Sequence, residues 1–283
     1  MANSYLNIVT FLLTTLFYYL AIKPSYTYEI SIDPTKQKEY KSSSYMYLAI
    51  YLLLVMVIQF IVNSSIISST CGGNITENMG AAGVFTFLPW TLIFGVIILI
   101  LTIYPGFKSA FSDVVGYFWI STSASKIITE LLVDPDIQKK IDSDSTSSTE
   151  QKEAMQSAAD AIIKICGNNS VLINQIVPTN FNSYWAILTP LMKDKYKQNS
   201  SETNEIKKEL FELVVTRDNV GEAMWYIYTG VLLTSLVQLK ITSRGCVNNP
   251  KTMEQNYQKF LDVEEKAKQQ KQLSTSTTYT ITG

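Results

Sequence analysis

Cys71, Cys166 and Cys246 are the only thiols in this 283-residue sequence, and no histidine accompanies them. Without imidazole there is no Ser-His or Cys-His nucleophile pair, no ordinary general base near neutral pH, and none of the commonest metal ligand. The three cysteines stand too far apart for a CxxC motif, and the sequence holds no dinucleotide-binding, phosphate-loop or nucleophile-elbow signature. The acidic residues between Asp142 and Glu153 lie in a Ser/Thr-rich stretch leading into a helix cap, which makes them a solvated surface rather than a cation site. The inventory therefore predicts no catalytic residue, no metal and no cofactor. The cysteines are left with structural work. Cys166 continues an apolar stripe and belongs in a core, while Cys71 and Cys246 are candidates for a disulfide if both face an oxidising compartment.

The elements that would position these residues are set by hydrophobicity. Leu6–Ile22, Tyr45–Val62 and Ala82–Tyr104 contain no charged residue, and helices of that length span roughly 25–35 Å, the thickness of a bilayer core. A fourth uncharged stretch, Ala223–Leu239, is at the short end of the membrane range; it is either a span or a buried helix. The expected fold is thus all-α: a polytopic membrane protein of three or four transmembrane helices with a small helical soluble domain. The first apolar run lacks a basic flank and a small-residue cleavage site, so it reads as a retained helix rather than a signal peptide.

Lysines mark alternate loops. Lys23, Lys36, Lys38 and Lys41 lie between the first two runs and Lys108 follows the third, whereas residues 63–81 carry neither Lys nor Arg. The positive-inside rule then puts the Lys23–Lys41 loop and the chain after Pro105 on the cytosolic side and the Cys71 loop opposite. Asn74 heads an Asn-Ile-Thr glycosylation sequon in that outer loop. Pro89 would kink the third run, and Gly80 and Gly83 would let a neighbouring helix approach. Trp90, Tyr104, Trp119 and Trp225 suit the membrane–water interface.

Four regions follow. Residues 1–119 form the membrane block, closed by an interfacial helix at 107–119 on which Phe107, Phe111, Val114 and Phe118 recur at helical spacing. Residues 120–222 form the soluble helical domain, with a capping box at Ser147–Glu150, an apolar stripe from Met155 to Cys166, a helix from Ser183 capped by Asn182, and a second stripe at Ile206, Leu210, Leu213 and Val214. That domain has more Asp and Glu than Lys and Arg, which argues against nucleic acid and for protein contacts. Residues 223–246 hold the fourth candidate span. Residues 247–283 read as a mostly disordered tail with room for a short helix.

Several of these stretches, "CGGNITENMGAA", "FTFLPW", "YPGFKSAFSDVVGYF" and "WYIYTGVLLTSL" followed by Cys246, resemble a membrane protein of nucleocytoplasmic large DNA viruses, the giant-virus and algal-virus groups. The resemblance is densest over Cys71–Phe118, and Asp113 stands where the family has Asn. It implies a structural component of the internal virion membrane, derived from host endoplasmic reticulum during assembly. Such a protein would lie beneath the capsid shell, with lipid, minor capsid proteins and other copies of itself as partners. The alternatives are a channel or transporter, which would call for ionisable residues inside the spans, and an entry component, which would call for an exposed apolar segment outside.

Overall fold

The computed structural model describes residues 5–71, 75–132, 168–243 and 250–276. Among them, the pairing of extended backbone is limited to one isolated bridge between Leu132 and Met192; nearly everything else is helix, as expected of an all-α chain. In order, the helices are α1 (Leu6–Phe17), α2 (Tyr28–Ile32), α3 (Pro34–Cys71), α4 (Ile75–Pro89), α5 (Val96–Ile103), α6 (Ser109–Phe111), α7 (Tyr117–Leu131), α8 (Asn169–Gln175), α9 (Phe181–Leu188), α10 (Asp194–Lys197), α11 (Ser201–Ser243) and α12 (Pro250–Ser276). Wider π-helical turns extend three of the paths, at Tyr18–Ile22, Trp90–Gly95 and Ser112–Gly116.

Among the described residues, three helices are long and apolar enough to cross a membrane: Pro34–Cys71, Met79–Ile103 and Ser201–Ser243. The shorter apolar helix Leu6–Ile22 packs among them. Helix is the form such segments must take in lipid, where no water is present to satisfy backbone groups. Two of them outlast the bilayer. α3 begins where the Asp33 carboxylate accepts from the amides of Thr35 (2.9 Å) and Lys36 (3.2 Å), with Pro34 in the first turn, where its missing N–H costs nothing. It therefore starts eleven residues before the uncharged run at Tyr45. α11 has 43 residues, roughly 65 Å at 1.5 Å per residue. The boundary expected at residue 222 falls inside this one helix, because nothing between Ser201 and Ser243 breaks it: its first half carries the Ile206–Leu210–Val214 stripe and its second half the fourth apolar stretch.

The four apolar segments meet in an aromatic core of Phe11, Tyr18, Tyr51, Trp90, Phe94 and Tyr226, joined by Val55, Ile98 and Leu233. Tyr18 stacks on Tyr51 at 4.3 Å between centroids, and Phe11 lies 5.4 Å from Trp90. The outer surface of this bundle is apolar too, with Leu20, Leu53, Val84, Leu92, Leu99 and Leu236 all exposed, as expected of helices solvated by acyl chains. Beyond one end lies a second core, where Ile127, Leu131, Ile173, Phe181, Phe211 and Val214 bring together α7, α8, α9 and the first half of α11. Tyr26 and Tyr28, from the lysine-rich loop, pack on it, so that loop and the domain share one end of the bundle. At the other end, Val62, Ile66, Ala82, Val237 and Ile241 form a third cluster, with Cys71 against it.

Several local expectations are corrected. Trp90 is 0% exposed, inside the aromatic core, and so is no interfacial anchor. A side chain at Gly80 would meet open space and one at Gly83 ordinary contacts with Phe60 and Phe87, so neither is a point of close helix approach. α9 starts after Asn180, not Asn182, because the Asn180 side chain is held by the Val177 amide and the Gln175 carbonyl; it ends at Leu188 before a Pro190-containing 3₁₀ turn. α12 is 27 residues long and exposed, longer than the short helix expected in the tail: Lys, Gln, Glu and Ala favour helix, and Glu264 pairs with Lys268 one turn on. The Ser147–Glu150 box and the Met155–Cys166 stripe lie outside the described residues.

Candidate functional site

Three charged residues stand at the same end of three apolar segments. Lys23 directly follows the turn that closes the first, Lys108 ends the 3₁₀ turn after α5, and Glu222 immediately precedes the apolar half of α11. Lying at one depth, they meet. Lys23 Nζ is 2.5 Å from Glu222 Oε1; Lys108 Nζ is 2.7 Å from Glu222 Oε2 and 3.0 Å from Asp218 Oδ2. The Tyr19 hydroxyl donates to Glu222 Oε1 at 3.0 Å, and the Lys23 ammonium sits 4.8 Å from the Tyr19 ring centroid. Asp218 and Glu222 share a face of α11 because they are one turn apart.

Two ammoniums and two carboxylates make the cluster neutral, which is what permits its burial. Burial by itself would depress the Lys108 ammonium, but the carboxylates of Glu222 and Asp218 outweigh it and hold its pKa above the ordinary lysine range. Lys23 shares a single carboxylate, and there burial prevails and lowers the pKa. The contrast follows from the number of partners.

Small residues bring Lys108 into reach. A Cβ on Gly221 would come within 2.6 Å of Ser112 Cβ and 2.9 Å of the Lys108 carbonyl oxygen, and one on Gly116 within 2.5 Å of the Arg217 carbonyl oxygen. The π turn Ser112–Gly116 therefore lies directly against the α11 backbone. Trp225 Nε1 donates to the Phe107 carbonyl at 2.8 Å and fixes the same segment. Its opposite face is bare: Val114, Phe118 and Trp119 are 69%, 80% and 73% exposed. Tyr104 and Phe107 are exposed as well, at 61% and 55%, and Trp225 is half-buried. On the domain side, buried Arg217 donates to the carbonyls of Ile173 and Ile176 and to Asn174 Oδ1, capping the C-terminal end of α8. A cavity of about 330 Å³ opens beside the charged junction, reaching from Lys23 and Lys108 to Tyr26, Tyr40 and Asp113.

A second polar feature lies within the bundle. Asn7 Nδ2 donates to Asn63 Oδ1 (2.9 Å) and Gln238 Oε1 (3.2 Å); Gln59 Nε2 donates to the Asn7 carbonyl (3.1 Å); Asn63 Nδ2 donates to Thr86 Oγ1 (2.8 Å). The four apolar helical paths are thereby cross-linked, with α3 contributing two residues, Gln59 and Asn63. The seam is uncharged and its amides bond one another, so it acts as interhelical glue. Pro89 is followed by the π turn Trp90–Gly95, the local accommodation expected where proline interrupts the ladder.

Cys71 is disulfide-bonded. Cys246 lies outside the described residues, as do Cys166 and Asn74. Among the described residues no group of three His, Cys, Asp or Glu side chains is placed to hold a metal ion. The charged junction escaped the sequence reading, although its signal was present: Lys23, Lys108 and Glu222 are each the first charge met on leaving an apolar run at the same side. No protein-family model, curated protein or solved structure matches this chain.

Proposed function

We propose that this chain is a structural membrane protein that holds its lysine-side domain rigidly against the bilayer, and that it does so in an internal virion membrane, tying that membrane to minor capsid proteins. The observation that supports the anchoring role is α11: one unbroken helix contributes Leu210, Phe211 and Val214 to the domain core and Tyr226 and Leu233 to the bundle core. The buried Lys23–Glu222–Lys108 junction locks the two at the point where they join. A domain so fixed transmits position and load rather than moving relative to the membrane. The virion setting rests on the resemblance over Cys71–Phe118.

Cross-linking mass spectrometry of intact particles tests this reading. Lys193, Lys195, Lys197 and Lys207, all in the domain, are expected to link to a capsid-layer protein, and averaged cryo-electron maps should show density joining membrane to shell above the bundle. Absence of the chain from purified particles, or links confined to the chain itself, would refute the proposal.

A further inference from the structure

The segment after α5 stands along α11 instead of lying flat on the membrane. The Phe107 carbonyl meets Trp225, Ser112 lies against Gly221 and Gly116 against Arg217, so one chain rises as the other falls. Ile120 and Ala124 continue the path into the core that holds Leu210 and Val214. Residues 107–131 therefore climb away from the bundle, and α11 gives their height. Arg217, level with Gly116, lies five residues or roughly 7–8 Å beyond Glu222. The headgroup layer adds a similar depth, roughly 5–8 Å, on each side of the hydrocarbon core.

What this path exposes changes at that height. Val114, Phe118 and Trp119 are bare, and they prolong a run of exposed apolar side chains that starts within the bundle at Leu99, Ile103 and Phe107. Lys108, which interrupts the run in sequence, is turned into the junction. From Thr122 onward the exposed residues of α7 are polar: Thr122, Ser123, Lys126, Thr129 and Glu130. Helical side chains lean toward their own N-terminus. The N-terminus of α7 is its end nearer the bundle, so Phe118 and Trp119 reach back toward the bilayer. We infer that Val114, Phe118 and Trp119 are inserted in the headgroup layer of the lysine-side leaflet, giving the domain a lipid foothold in addition to α11. Aromatic rings collect at that level of a membrane, whereas a protein-docking face would have no reason to end where the headgroups end. The inference rests on the apolar segments crossing a membrane and is independent of the virion setting.

Tryptophan quenching in vesicles of brominated phosphatidylcholine, with the full chain reconstituted, tests the foothold. Bromines on the acyl carbons nearest the headgroup are expected to remove from the unaltered chain an emission component that Trp119→Phe lacks. Bromines near the chain ends should act on that component less, and aqueous iodide should leave most of it intact. Leu99→Trp, made together with Trp119→Phe, supplies the reference for a ring facing acyl chains, and the deep bromines should quench it. Phe118→Trp, which removes nothing from the core, should enlarge the share quenched by shallow bromines. If Leu99→Trp is quenched but the Trp119 and Phe118→Trp components respond only to iodide, the spans stand and the foothold is overturned, leaving the face to a protein partner. If none of the three is quenched by lipid, the membrane reading falls with it.

Discussion

Glu222 satisfies two ammonium groups with one carboxylate, one on each oxygen. Glu222→Gln would leave Lys23 without its carboxylate and Lys108 with Asp218 alone, all in a site that excludes most water, and should destabilise the fold by about 3–5 kcal/mol in a detergent-based unfolding titration. Replacing Lys23, Lys108 and Glu222 by Met together with Asp218 by Asn should cost far less, because no charge of the cluster then remains uncompensated; equal losses for the single and quadruple variants would show that the charges matter for some other reason. A different response is expected of Glu29 on the exposed edge of the same end. The Lys208 ammonium, hydrogen-bonded to it, lowers its pKa from 4.5 to about 2. A carboxylate depressed on folding adds stability above its unfolded pKa and loses it as pH falls through the folded one. The gap between the unaltered chain and Glu29→Gln should therefore be constant above about pH 4.5 and close as pH approaches about 2. Both partners are about half exposed, so the gap is small and shrinks further in salt. A gap that widens on acidification would contradict the assignment.

Where helices touch, glycine and the π turns decide the fit. A Cβ on Gly230 would clash with the tip of the Phe11 ring, so Gly230→Ala must displace that ring or the helix carrying it and should cost roughly 1–3 kcal/mol. Phe11→Leu, made in the same chain, should recover much of that loss, since the obstructing atoms belong to a side chain. Gly116→Ala should resist such rescue, because the atom it meets is the backbone oxygen of Arg217. Additive losses for Gly230→Ala and Phe11→Leu would disprove the contact. This element-level detail explains how far the sequence could be read. Uncharged length and periodicity are local, so the apolar segments, the Ile206–Val214 stripe and the helical class were legible. Which glycine faces a neighbour depends on the rotation of each helix in the bundle, which a nearly uniform apolar run leaves undefined. Composition alone points to Gly80 and Gly83, whereas close packing falls at Gly230, Gly116 and Gly221. Trp90 misled for the same reason: its type suits an interface, but it faces the aromatic interior.

On the scale of the molecule, the bundle has two unlike ends. One carries the lysine-rich loop, the charged junction and the domain; the other carries Cys71 against Val62, Ile66 and Ile241. A disulfide at the end that carries the Lys- and Arg-free 63–81 stretch, where Lys240 also closes α11, is what an oxidising compartment opposite the cytosol would produce. Cysteines introduced at Ser42 and Asn199, in a Cys166→Ser background, should both be labelled from the lysine side of sealed vesicles, and labelling from opposite sides would end this topology. Cys246 is the expected partner of Cys71. Ile241 packs in the Cys71 cluster and precedes Cys246 by five residues. Non-reducing peptide mapping is therefore expected to find Cys71 joined to Cys246. The bridge closes a loop of about 175 residues, which the chain-entropy model values at roughly 5 kcal/mol before strain is subtracted. Cys246→Ser should accordingly lower the unfolding midpoint markedly and leave Cys71 reactive only from the side opposite the lysines; a Cys71–Cys166 peptide would overturn both the pairing and the sidedness it was argued from.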